Sequence, residues 1–300
     1  MSAVASLGYV GLTSTDVPAF RSFATEILGM SVAITPGPDP DAAYLKIDER
    51  QWRLAVAPGD GGVAFIGWEV QGPTHFRELV AAIEAAGPTV EIADADAAAE
   101  RGVLGLARFE DPAGFPTEVF FGQKTNPEPF QSPAGTSGFS TGAQGMGHVF
   151  LMVPDIAAVE PFYLDVMGMR LTDLIQMGGG KSARFYRCNS RHHSLALMDL
   201  IPATQLGHVL VEAATIDDVG TAFDRAVDSS HKIVNSFGRH VNDKMISFYV
   251  QSPAGVDFEM GWGGLHIDEA TWSVTEFQGA GDLWGHRGDM MEEIADARTA

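Results

Sequence analysis

A chain of 300 residues suits one large domain or two of about 150, and 45% hydrophobic residues give it a core to bury. A formal charge of −20 with no basic run argues against nucleic-acid backbone or an anionic membrane surface as partner, because both call for clustered Lys and Arg. Cys188 is the only cysteine, which excludes an intrachain disulfide and a thiolate metal cluster.

The opening "MSAVASLGYV" has neither the basic start nor the apolar core of a signal peptide. No apolar run approaches the roughly 18 residues of a membrane span, so the expected location is the cytoplasm. The first informative block is "LGYVGLTSTDVPAFRSFATEILGMSV", residues 7–32, because it returns as "MGHVFLMVPDIAAVEPFYLDVMGMRL" at 146–171. Gly8 pairs with Gly147, Asp16 with Asp155, and Gly29-Met30 with Gly168-Met169. Further along, "YLKIDERQWRLAV" pairs with "FYRCNSRHHSLAL", "IGWEV" with "LGHVL", and "DPAGFPTEVFFG" with "SPAGVDFEMGWG". Four blocks in one order at nearly one offset mean two copies of one domain, 1–130 and 146–300. Between them 131–145, rich in Gly and Ser, reads as a linker.

Within the second copy, "GHVFLM" is a short β-rich run. Asp155 can cap a helix whose apolar positions Ile156, Val159, Phe162, Tyr163 and Val166 keep a helical period, and Gly168 suits the left-handed residue after it. Strands are predicted at 169–175, 183–188 and 193–198. The order then restarts, with a strand at 207–213, a helix near 217–228, and strands near 231–235, 245–250 and 256–261. Each copy is thus two βαβββ modules, four in all, in an α+β fold.

A duplication carries its own control. By these pairings His148 stands against Tyr9, His208 against Trp68 and His193 against Trp52, while the carboxylate is kept as Glu259 and Glu118. A carboxylate in an apolar strand costs several kcal/mol, roughly, unless it is paired or metal-bound. Glu118 shows that one can stand there without histidines. Only the second copy offers two imidazoles and a carboxylate, a set that leaves positions open on a divalent metal and suits non-haem Fe(II) and oxygen chemistry. A single histidine after a glycine at a strand start is more often packed than ligating. The metal reading rests on the two arriving together at equivalent strand starts.

The motif Gly238, His240, Phe248-Tyr249, Pro253-Ala254-Gly255 and Glu259, together with "CNSRHHSLAL", resembles the type I extradiol ring-cleavage dioxygenases of the vicinal oxygen chelate superfamily. The likeness runs from "LGYVGL" to "EMGWGG" and is greatest to the two-domain 2,3-dihydroxybiphenyl 1,2-dioxygenases. It implies that His148, His208 and Glu259 ligate Fe(II), with Mn(II) acceptable to the same donors. His193 would then be the acid–base group, and His240 and Tyr249 would hydrogen-bond a substrate oxygen. The first copy would have lost metal binding. The implied substrates are O2 and an aryl-substituted or bicyclic catechol, and the implied assembly is a homo-oligomer.

Phe150 shares strand parity with His148 and is a candidate for the ring pocket, as are Ala196 and Leu200. Asn242 and Asp243 would hold the loop or hydrogen-bond behind the site. Lys244 and Ser252 depart from the family pattern at the pocket edge and a turn. His75 and His231 are expected at the surface, and Trp272 and Trp284 as anchors of the tail. His286 lies in that tail, which would cover a neighbour or the pocket mouth. The same scaffold also carries glyoxalase-like isomerases and non-catalytic small-molecule binders. The set His193, His240 and Tyr249 favours the oxygenase.

Overall fold

The computed structural model describes residues 4–201, 203–279 and 281–288. It contains the four βαβββ modules expected from the repeat, arranged in two sheets. Eight strands between residues 6 and 121 form the first sheet, and ten strands between 148 and 284 form the second. In each, the first strands of the two modules lie antiparallel at the centre: Ser6–Ser14 against Gly62–Glu69, and His148–Met152 against Gln205–Glu212.

Helices cover one side of each sheet. Asp155 does cap its helix, accepting from Ala157 N at 2.9 Å, and Gly168 takes the left-handed conformation at φ 68°. The helix Ile156–Pro161 widens into a π-turn over Phe162–Val166, and Phe23–Ile27 does the same in the first copy. These covered faces merge into one apolar core that spans both copies. Phe109 meets Phe162 at 5.9 Å, Phe23 meets Phe258 at 5.8 Å, and the Tyr163 hydroxyl donates to Asp111 at 2.5 Å. The opposite face of each sheet carries buried polar groups in places, and there the copies diverge.

One expected strand changes, and two further features appear. The strand expected at 193–198 is Leu195–Met198, so His192 and His193 precede it, and both are buried. Two tail strands, Thr275–Gln278 and Asp282–Trp284, extend the second sheet at opposite edges. The stretch 131–145 is tied down at several points: Ser137 N donates to Asp218, Ser140 N to Glu212 O, and Met146 N, just beyond it, to Leu7 O. Gly145 is needed here, because a Cβ would come within 2.3 Å of the Leu7 carbonyl and φ is 72°. No helix among the described residues is long and apolar enough to cross a membrane.

Candidate active site

Strand register assembles the site. On the central strands Leu210 lies beside His148 on one side and Glu259 on the other, and Tyr249 lies beside Glu259. Neighbours across a ladder share a face, and so do residues two apart on one strand, which brings His208 to that face as well. Four residues distant in sequence thus meet on one face of the second sheet.

The resulting contacts are close. His148 Nε2 lies 3.0 Å from His208 Nε2, and Glu259 Oε2 lies 3.3 and 3.4 Å from these two atoms. Adjacent ligands at about 2.1 Å from one ion are about 3.0 Å apart, whereas a trans pair would be about 4.2 Å apart. All three observed edges are near the first value, so the donors fit one triangular face of a coordination sphere. The chemistry agrees: burial pushes the His208 imidazole down to about 3, leaving it neutral with a lone pair for a metal. Burial by itself would raise Glu259, but hydrogen bonds from His148 and His240 hold it well below the usual carboxylate range. Phe150 stacks on His208 at 4.9 Å and 8°, fixing the ring plane. Its Nδ1 is buried without a hydrogen-bond partner among the described residues. His148, His208 and Glu259 could therefore hold a divalent ion.

The triangle opens onto a cavity of about 110 Å³, several times the roughly 10–15 Å³ that one water needs. Much of its wall is apolar, from Phe150, Ile175, Met177, Phe185, Ala196 and Met198. An organic ring fits against such a wall while polar groups fix its orientation at the other end. Those groups are the ones named from sequence. His193 is stacked obliquely on His148 with ring centroids 4.0 Å apart, and burial followed by the neighbouring His148 and His192 lowers its pKa well below the ordinary histidine value. His240 Nε2 sits 2.9 Å from the Tyr249 hydroxyl and 3.2 Å from Glu259 Oε1. Burial alone would lower His240, but hydrogen bonds to Asp282 and Glu259 outweigh it and raise it well above the usual value. Burial first and Glu259 second raise the Tyr249 phenol, which keeps it a donor.

Asn242 and Asp243 line the cavity, and Asn242 Nδ2 also reaches back to Asp173 at 3.3 Å. Leu200 does not line it; it is half-buried and packs against the apolar cluster from outside. Lys244 turns its ammonium back onto the Val241 carbonyl, away from the cavity. Ser252 closes its turn by donating to Val256 O at 2.6 Å. His75 is exposed as expected, whereas His231 is half-buried against the Phe23 ring at 4.9 Å. Trp272 anchors the tail through Thr172 O at 2.9 Å, but Trp284 is 48% exposed and anchors little.

Sequence reasoning missed how the tail enters the site. Asp282 Oδ1 accepts from His240 Nδ1 at 2.9 Å and from His286 Nδ1 at 2.7 Å, and His286 is buried beside the Ser247 hydroxyl at 3.2 Å. The four-residue spacing of Asp282 and His286 in a tail rich in Gly and Trp was the available signal. His192 and its carboxylate partner Asp173 were missed too, although Asp173 is another acid inside an apolar strand.

The second copy's sequence from 145 to 260 matches the model of the Glyoxalase/Bleomycin resistance protein/Dioxygenase superfamily, and residues 7–59 match that of Dihydroxybiphenyl dioxygenase BphC D1. A biphenyl-2,3-diol 1,2-dioxygenase of Paraburkholderia xenovorans is 40% identical over 95% of this chain and 96% of its own. The chain belongs to the extradiol dioxygenase family. An iron-dependent extradiol dioxygenase of Rhodococcus jostii is 37% identical over 95% of this chain and 97% of its own. The crystal structure of BphC, a halotolerant catechol dioxygenase, superposes with a TM-score of 0.89 at 38% identity, covering 95% of each chain.

Proposed function

We propose that this extradiol dioxygenase cleaves an aryl-substituted or bicyclic catechol, such as 2,3-dihydroxybiphenyl, beside its two hydroxyls, incorporating both atoms of O2 in the breakdown of aromatic compounds. The observation that carries the reading is the donor triangle of His148, His208 and Glu259 opening onto a ring-sized apolar cavity with His193 at its side. Fe(II) bound to those donors supplies Lewis acidity and a one-electron path between the ring and O2, and Mn(II) suits the same set.

The protein's own groups do the rest. The apolar wall holds the ring and keeps water away from it. His193, neutral in its buried setting, takes a hydroxyl proton from the catechol through its unprotonated nitrogen and returns it later in the cycle. The pair His240 and Tyr249, joined at 2.9 Å, presents hydrogen-bond donors to the substrate oxygen where charge builds up. Asp282 holds His240 in place from behind. In this reading 146–300 is the catalytic domain, 1–130 a copy without a metal site, and 131–145 the connection. We take the enzyme to be a cytoplasmic homo-oligomer, and a monomer mass by light scattering would overturn the assembly.

The deciding experiment loads the protein anaerobically with Fe(II), adds 2,3-dihydroxybiphenyl and then air-saturated buffer, and follows absorbance and oxygen together. A yellow product with one O2 consumed per catechol is expected. No colour and no uptake across catechol, biphenyl and naphthalene diols would contradict the oxygenase reading and return the isomerase or binder.

A further inference from the structure

Behind His193 runs a line of polar groups that the chemistry above does not use. Asp173, fully buried in the strand Arg170–Gly178, has Oδ2 2.9 Å from His192 Nε2. His192 Nδ1 in turn lies 3.1 Å from His193 Nδ1. The alternative acceptor for His193 Nδ1, Asp243 Oδ2, is 4.0 Å away and beyond hydrogen-bond reach. His192 is itself held: Thr172 Oγ1 donates to its carbonyl at 2.7 Å, and Trp272 stands edge-on to its ring at 5.8 Å.

We infer that Asp173 and His192 are positioning residues that fix which nitrogen of His193 carries the hydrogen. An ionised carboxylate only accepts, so the hydrogen between Asp173 and His192 belongs to His192 Nε2. With that as its single ring hydrogen, His192 has a bare Nδ1 that accepts. His193 then fills the 3.1 Å contact by donating from Nδ1. That leaves His193 Nε2 with its lone pair free, and this nitrogen has no hydrogen-bond partner among the described residues of a side chain that lines the substrate cavity. The opposite tautomer would present an N–H to the catechol and could take no proton from it. Asn242 adds direction to the line, since its amide donates to Asp173 Oδ1 at 3.3 Å and leaves Oδ2 for His192.

The inference rests on His193 being the base, so the test separates the two. Full-length, iron-loaded variants are compared in turnover of 2,3-dihydroxybiphenyl, in its anaerobic dissociation constant and in iron content. In D173N the amide oxygen can keep Asn242 while the amide nitrogen donates to His192 Nε2, which reverses every hydrogen in the line. H192N places an amide oxygen where Nδ1 stood and keeps the acceptor for His193, whereas the similarly shaped H192L removes it. Expected are losses in kcat of about 10²- to 10⁴-fold for D173N and H192L. Their substrate affinity and iron should stay within about twofold, and H192N should stay within about tenfold of wild type in kcat. Wild-type turnover by D173N, or H192N falling as far as H192L, would overturn the inference, and the H192N and H192L pair decides alone if D173N does not fold. Wild-type turnover by H193A would instead remove the base itself, and the inference with it.

Discussion

The two copies place a glutamate at equivalent points of their two sheets and satisfy it by different means. In the second copy Glu259 faces His148 and His208 at 3.3 and 3.4 Å, a set that can close around an ion, and His240 at 3.2 Å on its other oxygen. In the first copy Glu118 accepts from the Tyr9 hydroxyl at 2.7 Å and from Arg101 at 2.8 Å, with Arg108 at 3.4 Å. The register is shared: Tyr9 and Glu118 flank Gly67 as His148 and Glu259 flank Leu210, and Arg108 pairs with Glu118 as Tyr249 does with Glu259. Trp52 lies against Tyr9 at 4.8 Å where His193 lies against His148 at 4.0 Å. In the first copy, guanidinium groups and a phenol thus stand around the carboxylate, and stacked aromatic rings lie beside it. A buried carboxylate needs a cation, and which cation it has separates a scaffold from a site.

Register also corrects one pairing read from the sequence. With Gly67 opposite Leu210, the residue matching His208 is Phe65, not Trp68, which points into the shared core. Phe65 meets Tyr9 edge-on at 5.8 Å and carries the Arg101 guanidinium on its face at 3.9 Å. The local match of "IGWEV" to "LGHVL" slipped by three residues, an odd number, and so reversed the faces of the strand.

The comparison can be broken most severely at the metal donors. H148A, H208A or E259A should lose iron and with it all measurable turnover, as metal analysis and oxygen uptake would show. H193A comes next, with kcat down about 10²- to 10⁴-fold while iron and anaerobic catechol binding persist. D282A removes the acceptor shared by His240 and His286, and about a 10- to 100-fold loss of kcat is expected with iron retained, read by steady-state kinetics. In the first copy E118Q should leave kcat within about twofold. It should cost about 1–3 kcal/mol of stability by denaturant melting, since Arg101 and Arg108 are partly exposed and water can replace the lost partner.

Much of this was legible beforehand, for identifiable reasons. The repeat fixed the modules because glycine turns and capping acids recur at constant spacing, as at Gly29 and Gly168. The candidate donors were visible because histidine and glutamate are costly in apolar strands, and because imidazoles stand where the first copy has aromatic rings. What stayed hidden depends on contacts between remote segments. His192 and Asp173 are 19 residues apart and His240 and Asp282 are 42 apart, with no local pattern joining them. The slip at Trp68 arose because that strand is apolar on both faces, which erases the alternation that would have set its register.

The central claim is that one copy holds a metal and the other holds arginines in its place. Iron per chain, counted after anaerobic loading and desalting of wild type, E118Q and E259Q, tests it most directly. The account predicts one iron in wild type and in E118Q, and none in E259Q. Two irons in wild type, or iron that survives E259Q and is lost with E118Q, would contradict it.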